Sequence, residues 1–214
     1  MKLSDVKTLI TSGTIILAVA LYLIFSDDPK DKTEIPSTDT TVTEQQSESL
    51  VITPALATEK TGKELIDVKF LSANDGDTIN VEMEGEKQRV RLLMIDTPEM
   101  NYDKGDPMPY AEEAKSFTID KLEKAKSVQL LFDKGPETDK YDRLLTYVFI
   151  DGVSLHELLL KEGLAAVRYV NKPNDTLEAE LLEIQDIAKE AKLNIWSHED
   201  YLQKDGFHPE EVNE

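Results

Sequence analysis

An uninterrupted apolar run lies near the start of the chain. Residues 8–25 carry no charged side chain, and their length of 18 residues just reaches the minimum for a helix that crosses a membrane. Lys2 and Lys7 precede the run, and basic residues on a short N-terminal side favour a cytoplasmic location for residues 1–7. The pattern predicts an uncleaved transmembrane signal-anchor, with a cleaved signal peptide as the alternative.

The next segment is mostly polar. Residues 26–62 are rich in Ser, Thr, Asp and Glu and contain no aromatic side chain. Such a segment cannot bury enough apolar surface to offset the entropy lost on ordering, so we predict a disordered linker. With an anchor at 8–25, the linker would hold the following domain at the outer face of the cell membrane. With a cleaved signal peptide, the domain would be secreted.

From residue 63 onward, short apolar runs alternate with turn-forming residues. Five runs are rich in β-branched, Leu and Phe residues, as expected of β-strands. They occupy 65–73, 78–85, 88–95, 127–132 and 143–150. Asn74-Asp75-Gly76-Asp77 has a turn composition between the first two runs, and Asp96-Thr97-Pro98 ends the third.

Three segments have the pattern of helices. Tyr110–Lys126 has apolar side chains at helical spacing, Ser154–Gly163 ends at a glycine, and Thr176–Leu193 begins with a capping-type threonine. For residues 63–197 this order predicts an α+β domain, a five-stranded OB-type Greek-key β-barrel with three helices. The pattern alone leaves other α+β folds open. Residues 198–214 are acidic, and we expect a loose C-terminal tail.

Two acidic turns are candidates for binding a hard cation. Asp75-Gly76-Asp77-Thr78 places carboxylates beside a glycine, which suits an oxygen-liganded cation, although such a stretch is more often a plain turn. Pro98 keeps Thr97 extended, so that Asp96 and the Thr97 carbonyl can point at one site. A loop with acidic caps is the alternative for this second stretch.

Two cationic stretches are candidates for binding phosphate. Arg91 lies in the third strand, where simple alternation puts it on the opposite face from Asp96. A site shared by these two residues therefore needs a bulge or a turn between them. Asp139-Lys140-Tyr141-Asp142-Arg143 precedes the fifth strand, and a cationic loop of this kind can hold phosphate. Taken separately, the two stretches are better explained as surface arginines and a charged turn.

Together and in this order, the motifs resemble the staphylococcal nuclease (thermonuclease) family over residues 67–197. The matching stretches are DGDT at 75–78, VRLLMIDTPE at 90–99, FDKG at 132–135, TDKYDR at 138–143, EGLAAVRYVNKPN at 162–174 and KLNIWS at 192–197. The resemblance implies a phosphodiester hydrolase: a calcium-dependent endonuclease that cuts DNA to 3′-phosphate products, with RNA left open as a second substrate.

The resemblance also implies a role for each matching residue. Three would bind one Ca²⁺ ion: Asp77, Asp96 and, through its main-chain carbonyl, Thr97. Three would be catalytic, with a carboxylate positioning or deprotonating water and two guanidinium groups holding the phosphodiester: Glu99, Arg91 and Arg143. Three would contact the bound nucleotide: Lys140, Tyr141 and Tyr169.

The chain departs from the family pattern at two positions. Asp142 stands where the family usually has glycine, which adds a negative charge beside Arg143. Asn171 replaces the second tyrosine of the nucleotide-binding pair, and base stacking is worth about 1–3 kcal/mol per base. We therefore expect weaker nucleotide binding, or a changed base preference, with the chemistry retained.

Charge is the main argument against a protein that acts on nucleic acid. The net charge is −19, and residues 62–197 hold 18 Lys and Arg against 28 Asp and Glu, so the tails do not explain the acidity. A local positive patch and a cation would suffice for binding. The candidate patch residues are Arg91, Lys134, Lys140, Arg143, Arg168 and Lys172.

A catalytically silent OB-fold module, tethered to the membrane and binding nucleic acid or protein, is the alternative to an enzyme. The chain retains the whole set of residues that the resemblance assigns to metal binding and catalysis, which favours the enzyme. The absence of cysteine excludes disulfides, thiolate metal sites and a lipid-attachment cysteine. We expect a monomer.

Overall fold

The computed structural model describes residues 52–102 and 105–212, and the architecture is that of these residues. The predicted membrane helix at 8–25 and most of the predicted linker at 26–62 lie outside them. Within the described ranges, no helix is long and apolar enough to cross a membrane.

Five strands form a closed barrel, as the sequence predicts. The described residues contain the strands β1 (Ile66–Ala73), β2 (Thr78–Met83), β3 (Glu86–Leu92), β4 (Ile95–Asp96), β5 (Val128–Phe132), β6 (Leu144–Ile150), β7 (Val153–Ser154) and β8 (Ala166–Val167). Antiparallel pairing runs in the order β3-β2-β1-β5-β6, and β3 then pairs in parallel with β6, which closes the barrel. A separate two-stranded sheet joins β4 to β8.

Four α-helices surround the barrel in the described part of the chain, one more than the sequence predicts. They are α1 (Pro54–Thr61), α2 (Ala111–Lys124), α3 (Leu155–Lys161) and α4 (Glu178–Glu190). Short 3-10 turns follow at Asn194–Trp196 and Pro209–Glu211. The main core is built from inward-facing strand residues together with the apolar faces of α2, α3 and α4.

The predicted linker boundary at residue 62 is wrong, because α1 lies inside the predicted linker. The Thr53 hydroxyl caps this helix by accepting a hydrogen bond from the Leu56 amide at 3.2 Å. Ile52 is fully buried, and its main-chain N–H donates to the Glu157 carboxylate at 2.7 Å. A single apolar residue such as Ile52 produces no periodic pattern. The polar composition of the surrounding segment therefore led to the prediction of a disordered linker.

The predicted loose tail at 198–214 is also corrected, since residues 198–212 are folded onto the domain. Tyr201 is fully buried, and its ring lies 5.3 Å from that of Phe207. The Tyr201 hydroxyl donates to the Pro109 carbonyl at 2.5 Å. One large aromatic side chain buries enough surface to anchor an otherwise polar segment.

Two polar side chains take part in buried contacts that no local pattern reveals. His156 is fully buried 5.5 Å from the Tyr147 ring, and burial lowers its pKa to about 3. Thr176 does not cap α4, whose N-cap residue is Leu177. Its hydroxyl and its amide instead donate to the buried carboxylate of Asp133.

Candidate active site

A cavity of about 890 Å³ opens where the β3–β6 closure meets the β4–β8 pair. Seven of the nine predicted site residues line it: Arg91, Asp96, Glu99, Lys140, Tyr141, Arg143 and Tyr169. The other two, Asp77 and Thr97, lie directly behind this lining and are joined by a hydrogen bond. The structure therefore brings the whole predicted set to one place.

A turn between β3 and β4 puts Arg91 and Asp96 on the same side, as a shared site requires. Strand β3 ends at Leu92, and Met94 adopts a left-handed conformation with φ 57° before β4 begins at Ile95. The Arg91 Nη2 atom then lies 3.0 Å from Asp96 Oδ1, and Arg91 Nη1 lies 3.1 Å from Asp77 Oδ2. One guanidinium group thus bridges two carboxylates.

Closure of the barrel brings the second predicted arginine to the same cavity. In the parallel β3–β6 pair, Val90 lies opposite Leu144 and Arg91 lies opposite Leu145. Arg143 immediately precedes Leu144 in the chain. The loop that carries Arg143 is therefore held beside the end of β3.

Asp77 owes its position to the glycine before it. A Cβ atom on Gly76 would lie 2.8 Å from Thr97 Cγ2 and 2.9 Å from Ala114 Cβ, so only glycine allows this close packing. The Thr118 hydroxyl donates to the Gly76 carbonyl at 2.7 Å, which ties the turn to α2. On the other side, the Thr97 amide donates to Asp77 Oδ2 at 2.9 Å.

Two buried carboxylates of like charge form the candidate cation site. Asp77 and Asp96 are only 3% and 6% exposed. Burial and the negative charge of Asp77 raise the pKa of Asp96 to about 6, although the guanidinium groups of Arg91 and Arg168 oppose this rise. A divalent cation would relieve the same repulsion.

The available donor atoms fit a hard cation. Carboxylate and carbonyl oxygens are the ligands that Ca²⁺ prefers. The hydroxyl of the buried Thr97 has no hydrogen-bond partner among the residues that the structure describes. Within residues 52–102 and 105–212, no three His, Cys, Asp or Glu side chains form a metal cluster. The predicted ligand set contains only two side-chain carboxylates and one carbonyl, so the remaining ligands would have to come from water or substrate.

Glu99 has an electrostatic environment suited to a base. Partial burial, followed by the charges of Asp75, Asp77 and Asp96, raises its pKa to about 7, while Arg91 acts in the opposite direction. A general base works best when its pKa lies near the operating pH. Sequence reasoning did not assign a role to Asp75, whose carboxylate also accepts a hydrogen bond from the Met100 amide at 3.2 Å.

Asp139 holds the phosphate-loop arginine, a role that sequence reasoning missed. Its Oδ2 atom accepts a hydrogen bond from Arg143 Nε at 2.8 Å and pairs with Nη2 at 2.7 Å. Its Oδ1 atom accepts from the amides of Tyr141 and Arg143 at 2.9 and 3.0 Å. Burial raises the pKa of Asp139, but these hydrogen bonds outweigh it and the pKa is lowered. The Asp-x-x-x-Arg spacing is the available sequence signal.

Two exposed tyrosines lie beside these cationic groups. Tyr141 and Tyr169 are 57% and 61% exposed, unlike the buried Tyr147. The Arg143 and Lys140 side chains lie 5.5 and 4.9 Å from the Tyr141 ring centre. Such open aromatic faces suit stacking with a base.

The two departures from the family pattern have local explanations. Asp142 has φ 57°, in the left-handed region that glycine adopts most readily, which accounts for the family preference at this position. The Asn171 side chain donates to the Tyr169 carbonyl at 2.9 Å, so its amide is turned onto the main chain.

Three candidate patch residues have positions that the sequence did not indicate. Arg168 Nε lies 3.5 Å from Asp96 Oδ2, so this residue belongs to the site. Lys134 and Lys172 do not line the cavity, and Lys172 pairs at 4.0 Å with Asp175.

Comparison with known proteins agrees with this fold. The family described as Staphylococcal nuclease homologue matches residues 89–198. The chain is 39% identical to Endonuclease YncB of Bacillus subtilis, over 94% of this chain and 97% of the relative. It is 46% identical to the SPbeta prophage-derived endonuclease YokF of the same organism, over 68% and 49%. It is 38% identical to the Thermonuclease of Staphylococcus hyicus, over 61% and 75%. The chain therefore belongs to the staphylococcal nuclease family.

Replacing Glu99 by glutamine should stabilise the metal-free protein, but only at higher pH. Because the folded-state pKa is raised from 4.5 to about 7, ionisation of Glu99 opposes folding as the pH rises through this range. The gain from Glu99→Gln should be complete above about pH 7 and absent below about pH 4.5. Urea unfolding at both ends of the range measures it, with the exposed Glu112→Gln as the matched control. Equal unfolding free energies of Glu99→Gln and wild type at high pH would contradict the prediction.

Proposed function

We propose that this chain is a calcium-dependent endonuclease that hydrolyses DNA to 3′-phosphate products, and that RNA is a second substrate to be tested. One observation carries the proposal. The guanidinium groups of Arg91 and Arg143 and the carboxyl groups of Glu99 and Asp96 line one cavity, and the buried Asp77 lies behind Arg91. The relatives named endonuclease and thermonuclease support nuclease activity.

The two arginines are suited to binding a phosphodiester. A planar guanidinium group presents paired N–H donors that match two phosphate oxygens and strengthen as negative charge develops on them. Asp139 already fixes the direction of the Arg143 fork through Nε and Nη2, so little ordering remains on binding. Arg91 would exchange part of its contact with Asp77 and Asp96 for contact with the substrate.

Glu99 is suited to activating water. An oxygen of its ionised carboxylate would accept the proton of the attacking water, whose oxygen would bond to phosphorus while the bond from phosphorus to the 5′ oxygen breaks. The 5′ oxygen would leave as a hydroxyl by taking a proton from solvent water. Partial burial, followed by the charges of the neighbouring Asp75, Asp77 and Asp96, raises the pKa of Glu99, which makes its carboxylate a stronger base. Ca²⁺ held by Asp77, Asp96 and the Thr97 carbonyl would supply charge neutralisation at the phosphate oxygens.

The nucleotide would lie against the exposed aromatic faces. Lys140 and Tyr141 would contact a phosphate next to Arg143, and Tyr169 would offer a surface to the base. The Arg89 guanidinium supports this loop by donating to the Tyr141 carbonyl at 2.8 Å. The positive groups concentrated at this cavity allow an acidic domain to bind DNA, with an affinity that falls as salt rises.

Hydrolysis by the full-length chain tests the proposal. DNA should be cut in Ca²⁺, leave 3′-phosphate ends, and stay intact when a chelator is added. Glu99→Gln should lower kcat by about 10²–10⁴-fold, because the base is lost, whereas the exposed Glu112→Gln should not change it. If the folded protein cuts neither DNA nor RNA over a range of pH and salt, the catalytically silent binding module is the better explanation.

Substitution of Asp142 separates charge from backbone conformation. Asp142→Asn and Asp142→Gly both remove the negative charge beside Arg143, so both should lower KM for DNA. Only the glycine variant relieves the left-handed backbone, and it should raise the free energy of unfolding by about 1 kcal/mol. Steady-state kinetics and urea unfolding of the two variants measure these effects. A KM that Asp142→Asn leaves unchanged would argue that this charge does not face the substrate.

The proposed location is the outer face of the cell membrane, with the protein acting as a monomer. The uncharged run at 8–25 and the preceding Lys2 and Lys7 support a signal-anchor, and secretion after cleavage is the alternative. Without protease, the domain should be found in the membrane fraction of the cells. Protease added to intact cells should degrade it. Full protection of the domain from the protease would exclude both locations.

A further inference from the structure

Arg168 connects Asp96, a carboxylate of the candidate cation site, to the C-terminal segment, residues 199–212. Arg168 Nε lies 3.5 Å from Asp96 Oδ2, while Nη1 and Nη2 donate to the carbonyls of Gln203 and Lys204 at 3.3 and 3.4 Å. The Arg168 side chain is only 14% exposed. All three nitrogens of one planar group therefore face an acceptor, which fixes the plane of the guanidinium.

The backbone of Arg168 is tied to the strand that carries Asp96. In the β4–β8 pair, Asp96 lies opposite Ala166, and the Arg168 amide donates to the Met94 carbonyl at 2.8 Å. These hydrogen bonds fix the position of the Arg168 backbone. The direction of its far end depends on the two carbonyls of the C-terminal segment.

The C-terminal segment, residues 199–212, is itself held firmly. The buried Tyr201 anchors it, and the His208 amide donates to the Tyr201 carbonyl at 2.7 Å. Between these residues the chain turns back sharply, since the Gln203 amide donates to the Gly206 carbonyl at 2.9 Å. The family match ends at residue 198, so this segment lies beyond it.

Asp96 needs a second cationic partner because Arg91 is heavily shared. Arg91 Nη1 also donates to the carbonyls of Leu92 and Ile95, at 3.0 and 2.6 Å, in addition to its contacts with the two aspartates. When Arg91 turns toward a phosphate, the contact of Arg168 with Asp96 does not have to break. Arg168 can keep the buried carboxylate oriented throughout.

We propose that Arg168 is a positioning residue for the cation ligand Asp96, and that the C-terminal segment holds its guanidinium in place. The inference rests on the proposed cation site. Within this segment it assigns a part in cation binding to the anchor Tyr201 and to the carbonyl groups of Gln203 and Lys204, although these residues lie outside the cavity. Partners that orient a metal ligand commonly change metal affinity by 10–100-fold when they are removed.

Calorimetric titration of the full-length protein with Ca²⁺ tests the role of Arg168. Arg168→Ala should weaken Ca²⁺ binding by about tenfold or more, because Asp96 loses its fixed orientation. If removal of a nearby positive charge is what matters, the variant will instead bind Ca²⁺ more tightly. Unchanged or tighter binding overturns the proposal.

A double-substitution cycle tests the role of the C-terminal segment. Tyr201→Ala should weaken Ca²⁺ binding to a similar extent, and the Arg168→Ala/Tyr201→Ala protein should bind no more weakly than Arg168→Ala alone, because both changes act through one contact. Independent, additive losses would contradict the segment's role. Ending the chain after His198 is a second variant with the same expected loss, and the exposed Glu199→Gln is the matched control that should keep wild-type affinity.

Failure of the cation site and failure of the positioning role can be told apart. Asp96→Asn should abolish calorimetric binding; if wild type also binds no Ca²⁺, the proposed cation site is wrong. The positioning contact is then judged by the side-chain carboxyl ¹³C shift of Asp96 in the metal-free protein. This shift should change in Arg168→Ala and Tyr201→Ala but not in Glu199→Gln. No change in the first two variants would show that the segment does not act on Asp96.

Discussion

The bridge from Arg91 to Asp77 and Asp96 is the contact on which the cavity depends. Two carboxylates that are almost fully buried repel each other, and both are costly to keep charged without a cationic partner. A single guanidinium fork contacts both, at 3.1 and 3.0 Å. It can reach them only because β3 breaks at Leu92 and the chain turns through Met94. An uninterrupted strand would place Arg91 and Asp96 on opposite faces. The turn between β3 and β4 therefore makes their shared site possible.

The same logic of paired charges extends around the cavity. Asp139 fixes the Arg143 fork, and Arg168 gives Asp96 a second cationic neighbour. Glu99 is the exception, since partial burial, followed by the negative charges of three nearby carboxylates, raises its pKa to about 7. A domain with a large acidic excess thus still presents cationic groups and open aromatic faces at one place. Overall charge describes the whole surface, whereas binding depends on the local arrangement.

Both ends of the domain extend further than composition suggests, because burial is decided by single side chains. Ile52 places α1 against the barrel, and Tyr201 folds the C-terminal segment over it. An average over the predicted linker or tail dilutes these anchors among polar residues. His156 shows the same limit, since its exposed or buried state depends on Tyr147 and other residues distant in the chain.

The sequence by itself determined the five barrel strands, three of the four helices in the described residues, and, through its motifs, seven of the side chains that line the cavity. These features depend on neighbours along the chain, where periodicity and turn-forming residues are visible. Only the tertiary structure decided the parallel register of β3 with β6, the pairing of β4 with β8, and the partners Asp139 and Arg168 within the site. Such contacts join residues far apart in sequence, and their geometry depends on closure of the barrel, which no local pattern encodes.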